Sequence, residues 1–368
     1  MRLDLYIARR FLTSFLRVFG AFLGILLLID LIEQIRRLSA SDLSEALILA
    51  ALNVPSNLYR ILPLLTVLAA ISLFLGLAKS SELVVVRAAG RSGLRFLLAP
   101  VVAALVLGAL AVTMFNPMIA ASAKAYEQRS AAARLAMKGG TGTQVLSLSA
   151  EGLWLRQGDS TGQAVIRAAS VSPEGTALGQ VSFHIFAPDG RITGRIEASE
   201  ALLVPGSWQL KNAKSWRFES DNPEATAVLS TGDLAIATDL TPARLRDGLG
   251  TPAGMSFWQL PEQATALEKA GFSARGFRLW YQMELALPLL LAAMVLVAAG
   301  FTMRHARFGK TGQMVLYAIL GGFFIFFLRN FAQVLGENGQ IPILVAAWSP
   351  PLIAVLMTLG LLLHLEDG

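Results

Sequence analysis

Leu12-Thr-Ser-Phe-Leu-Arg-Val-Phe-Gly-Ala-Phe-Leu-Gly-Ile-Leu-Leu-Leu-Ile29 decides what class of protein this is. One charge, Arg17, interrupts an otherwise apolar run. With its flanks the run supplies about 20 residues, or roughly 30 Å of helix, which is the hydrocarbon thickness of a bilayer. Working outward, similar runs extend from Leu58 to Ala78, Phe96 to Phe115, Leu279 to Phe301, Met314 to Val334 and Ile343 to Leu363. Six membrane-spanning helices follow, three before a long gap and three after it. The whole chain agrees: 368 residues, 54% hydrophobic and 15% charged, with a mean hydropathy of +0.57, lie outside the range of soluble globular domains. The first run is long enough to span and no convincing cleavage site follows it, so it is read as a retained helix.

Between the spans, residues 116–277 show short alternating stretches punctuated by turn residues. Val181-Ser-Phe-His-Ile-Phe186 followed by Pro188-Asp189-Gly190 and Arg191-Ile-Thr193 is the clearest example. This predicts a β-rich domain of about 140–255 inserted between membrane halves 1–115 and 278–368. Arg2, Arg9 and Arg10, then Lys79, Arg87, Arg91 and Arg95, then Arg304, Arg307 and Lys310 all fall on one side of the spans. The positive-inside rule makes that side the cytoplasm, with both termini there and the β domain outside. Segment 116–277 carries 15 basic and 15 acidic residues, so the net +6 belongs entirely to the membrane part. Net charge therefore gives a nucleic-acid groove on the β domain no support. The absence of cysteine excludes disulfides, iron–sulfur ligation and Cys-bound zinc.

Several charges break the apolar pattern. Arg36 and Arg37 lie just beyond the outer end of the first span, where basic residues are scarce by the same rule. Two readings are open: snorkelling into the headgroups, or recognition of an anionic lipid by two guanidinium groups projecting about 100° apart. Asp30 and Glu33 stand one turn apart and are placed to pair with a neighbouring helix or with Arg36 and Arg37. Arg17, Glu284 and Arg329 also sit within spans, where an ionisable group is expected to face protein or water. Gly76, Gly108, Gly300, Gly321, Gly322 and Gly360 are read as places where helices approach closely or slide.

Ser80-Ser-Glu-Leu-Val-Val-Val-Arg-Ala-Ala-Gly90 begins with helix-starting residues, continues with an apolar run too short to span, and ends on a glycine stop. It predicts a short cytoplasmic helix over about 80–90. Its apolar side either enters a groove in a cytoplasmic partner, with Glu82 facing a basic residue there, or lies on the inner leaflet. Catalytic patterns are absent. Gly309-Lys310-Thr311 lacks the preceding glycine of a phosphate-binding loop, since Arg304 stands there, and His184, His305 and His364 have no metal-site spacing. No GxSxG elbow occurs. Any energy source must come from a partner.

Three spans, a β-rich insertion, three spans, the segment Ser81 to Gly90 and Glu151-Gly-Leu-Trp154 together resemble the LptF/LptG family of lipopolysaccharide-export permeases, with details closer to the LptG arm. The resemblance covers essentially the whole chain. It implies a half-transporter that is not itself an enzyme and binds no cofactor directly, with ATP used by a separate subunit. The implied partners are an LptF-like permease, a dimeric LptB-like ATP-binding-cassette ATPase, and LptC/LptA-like periplasmic bridge proteins. The implied reaction is extraction of lipopolysaccharide from the inner membrane of a Gram-negative bacterium and its passage to that bridge. The β domain is implied to be a jellyroll. By the same matching, Ser81, Glu82, Leu83, Val84, Arg87 and Gly90 form the ATPase-coupling helix, and Arg36 and Arg37 contact the lipid. One departure is Asp30, which stands where LptG-type members have a further basic residue and would repel phosphate. Competing readings are another ABC-type permease, such as one for lipoproteins, and a non-transporting scaffold or receptor whose external domain binds a ligand.

Overall fold

The computed structural model describes residues 2–37, 43–80, 82, 93–138, 145–149, 152–159, 162–172, 176–187, 189–218, 222–225, 227–230, 234–238, 240–241, 252–269, 273–303 and 311–367. The chain forms two compact units. One comprises Met1–Ser130, Ser256–Trp258 and Arg278–Gly368, the other Ala131–Met255 and Gln259–Phe277.

The first unit is helical: α1 (Arg2–Arg37), α2 (Leu43–Arg60), α3 (Leu62–Lys79), α4 (Gly93–Leu110) and α5 (Asn116–Lys138) open it, with a π-helical turn at Ala111–Phe115 between the last two, and α5 continues past Ser130 into the second unit. After α6 (Leu260–Lys269), which belongs to the other unit, α7 (Arg275–Thr302), α8 (Thr311–Glu337) and α9 (Ile343–Asp367) complete it. Among the described residues six helical stretches are long and apolar enough to cross a membrane: Leu3–Arg37, Leu62–Lys79, Arg95–Ser130, Arg275–Thr302, Gly312–Glu337 and Ile343–His364. These are the six runs of the sequence.

Two helical segments exceed what the hydropathy runs suggested. The second span does not begin at Leu58. The helix breaks at Ile61, because Pro63 has no N–H to give the Tyr59 carbonyl, while Ile61 and Leu65 still donate to Asn57 and Ile61. Before the break, α2 buries Ala46, Leu49, Ala50, Val54 and Leu58, a single helical face that its polar residues had diluted. Past the third span, 116–138 is helix rather than alternating strand, consistent with its run of Ala, Lys, Glu and Gln.

Packing ranks the spans. In α7 78% of the span window is buried, against 6% in α1 and 17% in α8, so α7 is the central post and the other two are peripheral. Close approaches use glycine at Gly108, Gly300, Gly321 and Gly322, and also at Gly336, which the sequence reading did not single out. Gly360 has nothing within 4 Å and Gly76 meets only the Arg10 side chain, so neither serves a close helix crossing. Three buried threonine hydroxyls are satisfied within their own helices, Thr66 on the Leu62 carbonyl, Thr302 on Ala298 and Thr358 on Ala354.

Among the described residues the second unit holds, besides α6, an antiparallel sheet of nine strands: β1 (Val145–Ser149), β2 (Gly152–Asp159), β3 (Gly162–Val171), β4 (Ala177–Phe186), β5 (Ile192–Val204), β6 (Ser207–Lys211), β7 (Lys214–Arg217), β8 (Val228–Leu229) and β9 (Leu234–Ala237). Strands β1 to β6 pair consecutively, β9 returns beside β6, and β7 joins the far half of the long β5. The first six of the described strands thus form a meander, while the β6–β9 and β5–β7 pairings are non-consecutive. Alternation sends Leu153, Leu155, Ile166, Val181, Phe183 and Ile196 to the buried face. The anticipated β4–β5 turn is present: Ala187 and Arg191 close it, Asp189 accepts from the Arg191 amide, and Gly190 takes φ +84°.

His184, on the opposite face of β4, pairs in register with Arg195 on β5. Burial, and then the Arg195 charge, press its imidazole pKa below the ordinary histidine value, with Glu197 opposing. The sign follows. Above the unfolded pKa both states are neutral and stability is full; as pH falls through that value toward the lower folded one, only the unfolded chain takes up the proton and stability is lost. Denaturant unfolding of the β unit should therefore weaken from pH 7.5 to pH 5, and His184→Gln should flatten part of that slope. An unchanged slope would remove His184 from the account.

Candidate functional site

The residues singled out by sequence collect at the two ends of α1. At its beginning, Arg10 Nη1 donates to both Glu82 oxygens at 2.6 Å. Tyr6 OH accepts from the same nitrogen at 2.8 Å and lies 3.3 Å from Glu82 Oε2, while Ser80 Oγ reaches Glu82 Oε1 at 2.7 Å. Arg10 and Tyr6 share a face because four residues separate them, and Arg10 stacks its guanidinium 5.8 Å from the Tyr6 ring. The Arg10 bond is the main reason the Glu82 carboxyl titrates below the usual range. Glu82 is therefore a fixed, charged and partly exposed group. The rest of the expected coupling segment, Ser81, Leu83, Val84, Arg87 and Gly90, lies outside the described residues.

At the other end, Arg36 and Arg37 are exposed by 77% and 53% and share one carboxylate, that of Glu33. Arg36 Nη2 donates at 2.7 Å and Arg37 Nε at 2.9 Å. Each guanidinium has five N–H donors, so most remain for another acceptor, and the trio carries net charge of about +1. Asp30 does not join this trio. Its two oxygens accept from Asn53 and Asn57 of α2 at 3.0 and 3.1 Å. A carboxylate so occupied is a helix tie to α2, and its charge still reaches the Arg37 guanidinium. Gln34, 3% exposed, donates to Tyr126 of α5.

A polar cluster that includes a carboxyl is buried among the helices. Glu284 of α7, 3% exposed, accepts a short hydrogen bond from Tyr59 at the end of α2. Arg329 of α8 adds its electrostatic attraction to Glu284, and Asn116 hydrogen-bonds the Tyr59 hydroxyl. Asn116 also accepts from the Phe257 amide at 2.7 Å, and Phe257 stacks on Tyr281. Sequence reasoning named Glu284 and Arg329 but missed Tyr59, Asn53, Asn57 and the role of Arg10. The i,i+4 asparagines beside a lone intramembrane aspartate were the available signal. Among the described residues no cluster of His, Asp and Glu could hold a metal ion.

The arrangement offers two exposed guanidiniums with donors to spare and a fixed surface carboxylate. Over 374 aligned residues the chain is 23% identical to the lipopolysaccharide export system permease protein LptG of Haemophilus influenzae, covering 99% of both chains. It is 26% identical to the protein of that name in Escherichia coli K12, covering 98% of both. The profile of the lipopolysaccharide export system permease family LptF/LptG matches residues 5–364, nearly the whole length read here as six spans around a β insertion. The chain belongs to the LptF/LptG family and is a permease subunit of lipopolysaccharide export.

Proposed function

We propose that this permease works in the inner membrane with both termini in the cytoplasm and the β unit in the periplasm, as the distribution of Lys and Arg favours. It pairs with an LptF-like permease and takes its energy from a dimeric LptB-like ATPase that meets Glu82. Lipopolysaccharide enters from the outer leaflet, with its anionic headgroup at Arg36 and Arg37, and leaves through the β unit toward LptC/LptA-like bridge proteins. One observation carries this reading: a single helix, α1, reaches Glu82 near its beginning and bears the arginine pair at its end. A phosphorylated headgroup adds acceptors to guanidiniums that have donors to spare, and it meets Glu33 already neutralised by them. No step requires a covalent intermediate.

The test is a detergent pull-down of tagged wild type and Glu82→Ala, with mass spectrometry of bound proteins and lipids. Wild type should bring an ATP-binding-cassette ATPase, a second six-span permease and lipopolysaccharide. Glu82→Ala should recover about ten-fold less ATPase, equivalent to about 1.4 kcal/mol. Equal ATPase recovery with both proteins would remove Glu82 from the interface, and a lone wild-type chain would favour the scaffold reading.

A further inference from the structure

We propose that Arg10, supported by Tyr6, is a positioning residue that ties Glu82 to α1, so that movement of Glu82 is passed along α1 to the Arg36–Arg37 end. This rests on the reading that Glu82 meets the ATPase. The tie is geometrically specific: one guanidinium nitrogen spans both carboxylate oxygens across 72 residues of sequence, with Tyr6 and Ser80 completing the shell. Arg10 lies over the last turn of α3, where a Cβ at Gly76 would meet its Nη2 at 3.7 Å. The contact therefore joins three elements: α1, the end of α3 and the residue that follows it.

What α1 offers beyond this contact is continuity. It is one uninterrupted helix of 36 residues without proline, about 54 Å long. Its buried apolar side chains, Ile7, Phe11 and Phe15, cluster beside Arg10, and near its other end Asp30 and the buried Gln34 tie it to α2 and α5. A continuous helix gripped near one end carries a displacement of that end along its length, to the side chains that its far end holds. The Arg10–Glu82 side chains are 30% and 34% exposed, so a docking subunit can reach them without first unfolding anything. A carboxylate has about four acceptor positions, which leaves room for a donor from the partner while Arg10 stays bound.

The chain has no cysteine, so one introduced at Ile32, 66% exposed and one turn before Arg36, is a unique label site on α1. In the complete assembly reconstituted with lipopolysaccharide, a spin label at Ile32→Cys should change mobility between the nucleotide-free and ATP-bound states. Adding Arg10→Ala should abolish that change and lower lipid released per ATP by about five-fold or more, while the ATPase still co-purifies. Arg10→Lys should restore part of both, and Tyr6→Phe, which deletes one hydroxyl, should shift both in the same direction as Arg10→Ala. A wild-type label response in Arg10→Ala would overturn the proposal. So would loss of the ATPase from Arg10→Ala, which would make Arg10 a docking residue. Failure of the underlying reading is separate: Glu82→Ala would then keep both the ATPase and the label response.

Discussion

Gly108→Val should prevent stable assembly of the membrane unit. A Cβ on Gly108 of α4 would sit 2.5 Å from the Cα of Pro288 on α7 and 3.1 Å from that residue's nitrogen and Cβ. The obstacle is main chain, which has no rotamer to yield, and it belongs to the most buried span of the protein. Separating α4 from α7 by even an ångström would strip contacts along both helices, since dispersion falls steeply with distance. Overpacking in well-packed cores costs about 1–3 kcal/mol, and a clash with backbone belongs at or above the upper end. Small residues at membrane helix contacts serve this need for close approach. Thermal unfolding of the detergent-solubilised protein should show Gly108→Val unfolded or lowered by many degrees. Gly20→Ala is the control: nothing lies within 4 Å of that site, so the helix-propensity gain of about 1 kcal/mol should leave it unharmed or stabilised. Equal melting of Gly108→Val and wild type would mean that α4 and α7 do not hold this contact.

The contrast between glycines shows what sequence can and cannot reveal. Gly108 and Gly360 look alike in the chain, each set in an apolar run, yet one is wedged against backbone and the other faces open space. Hydropathy located all six spans because crossing a bilayer imposes length and polarity on each segment separately. The β4–β5 hairpin was legible for the same reason, since alternation and turn chemistry are local. Helix α2 was not, because Glu45, Asn53, Pro55 and Asn57 lower its hydropathy while its apolar residues still keep to one face. Partners distant in sequence could not be named. Asp30 and Glu33 each had two readings, a neighbouring helix or Arg36 and Arg37: Glu33 takes the arginines, three and four residues away, Asp30 takes the helix, with Asn57 27 residues on, and Glu82 finds Arg10 72 residues back. Arg10 had been counted only as a topology signal, and its second role depends on where α3 ends.

Tyr59→Phe should be comparably damaging, for an electrostatic reason. Tyr59 and Glu284 are 225 residues apart, and among the described residues the phenol is the hydrogen-bond donor to that carboxylate. Removing the donor leaves a buried carboxyl oxygen without its partner, a loss of about 1–3 kcal/mol and more where the group is charged. Phenylalanine fills nearly the same space, so packing is little changed and the hydroxyl is tested alone. Glu284→Gln should cost less, because an amide oxygen still accepts from Tyr59 and a neutral group is cheaper to bury. It does strip Arg329 of its attraction, so it should not be silent. The informative protein is the double variant. Once the charge is gone, deleting the hydroxyl should cost only about 1 kcal/mol, an ordinary hydrogen bond. The two substitutions should therefore be less than additive by 1 kcal/mol or more, roughly the scale of coupled neighbours. Thermal unfolding of the four proteins at one detergent concentration measures this directly. Strict additivity, or a Tyr59→Phe protein as stable as wild type, would show that Glu284 is satisfied by something other than Tyr59, with Arg329 the first candidate. If the coupling is found, the end of α2 and the middle of α7 are locked by a charge that membrane burial makes expensive to expose, so that displacements of the peripheral α1 and α8 would take place around a fixed centre.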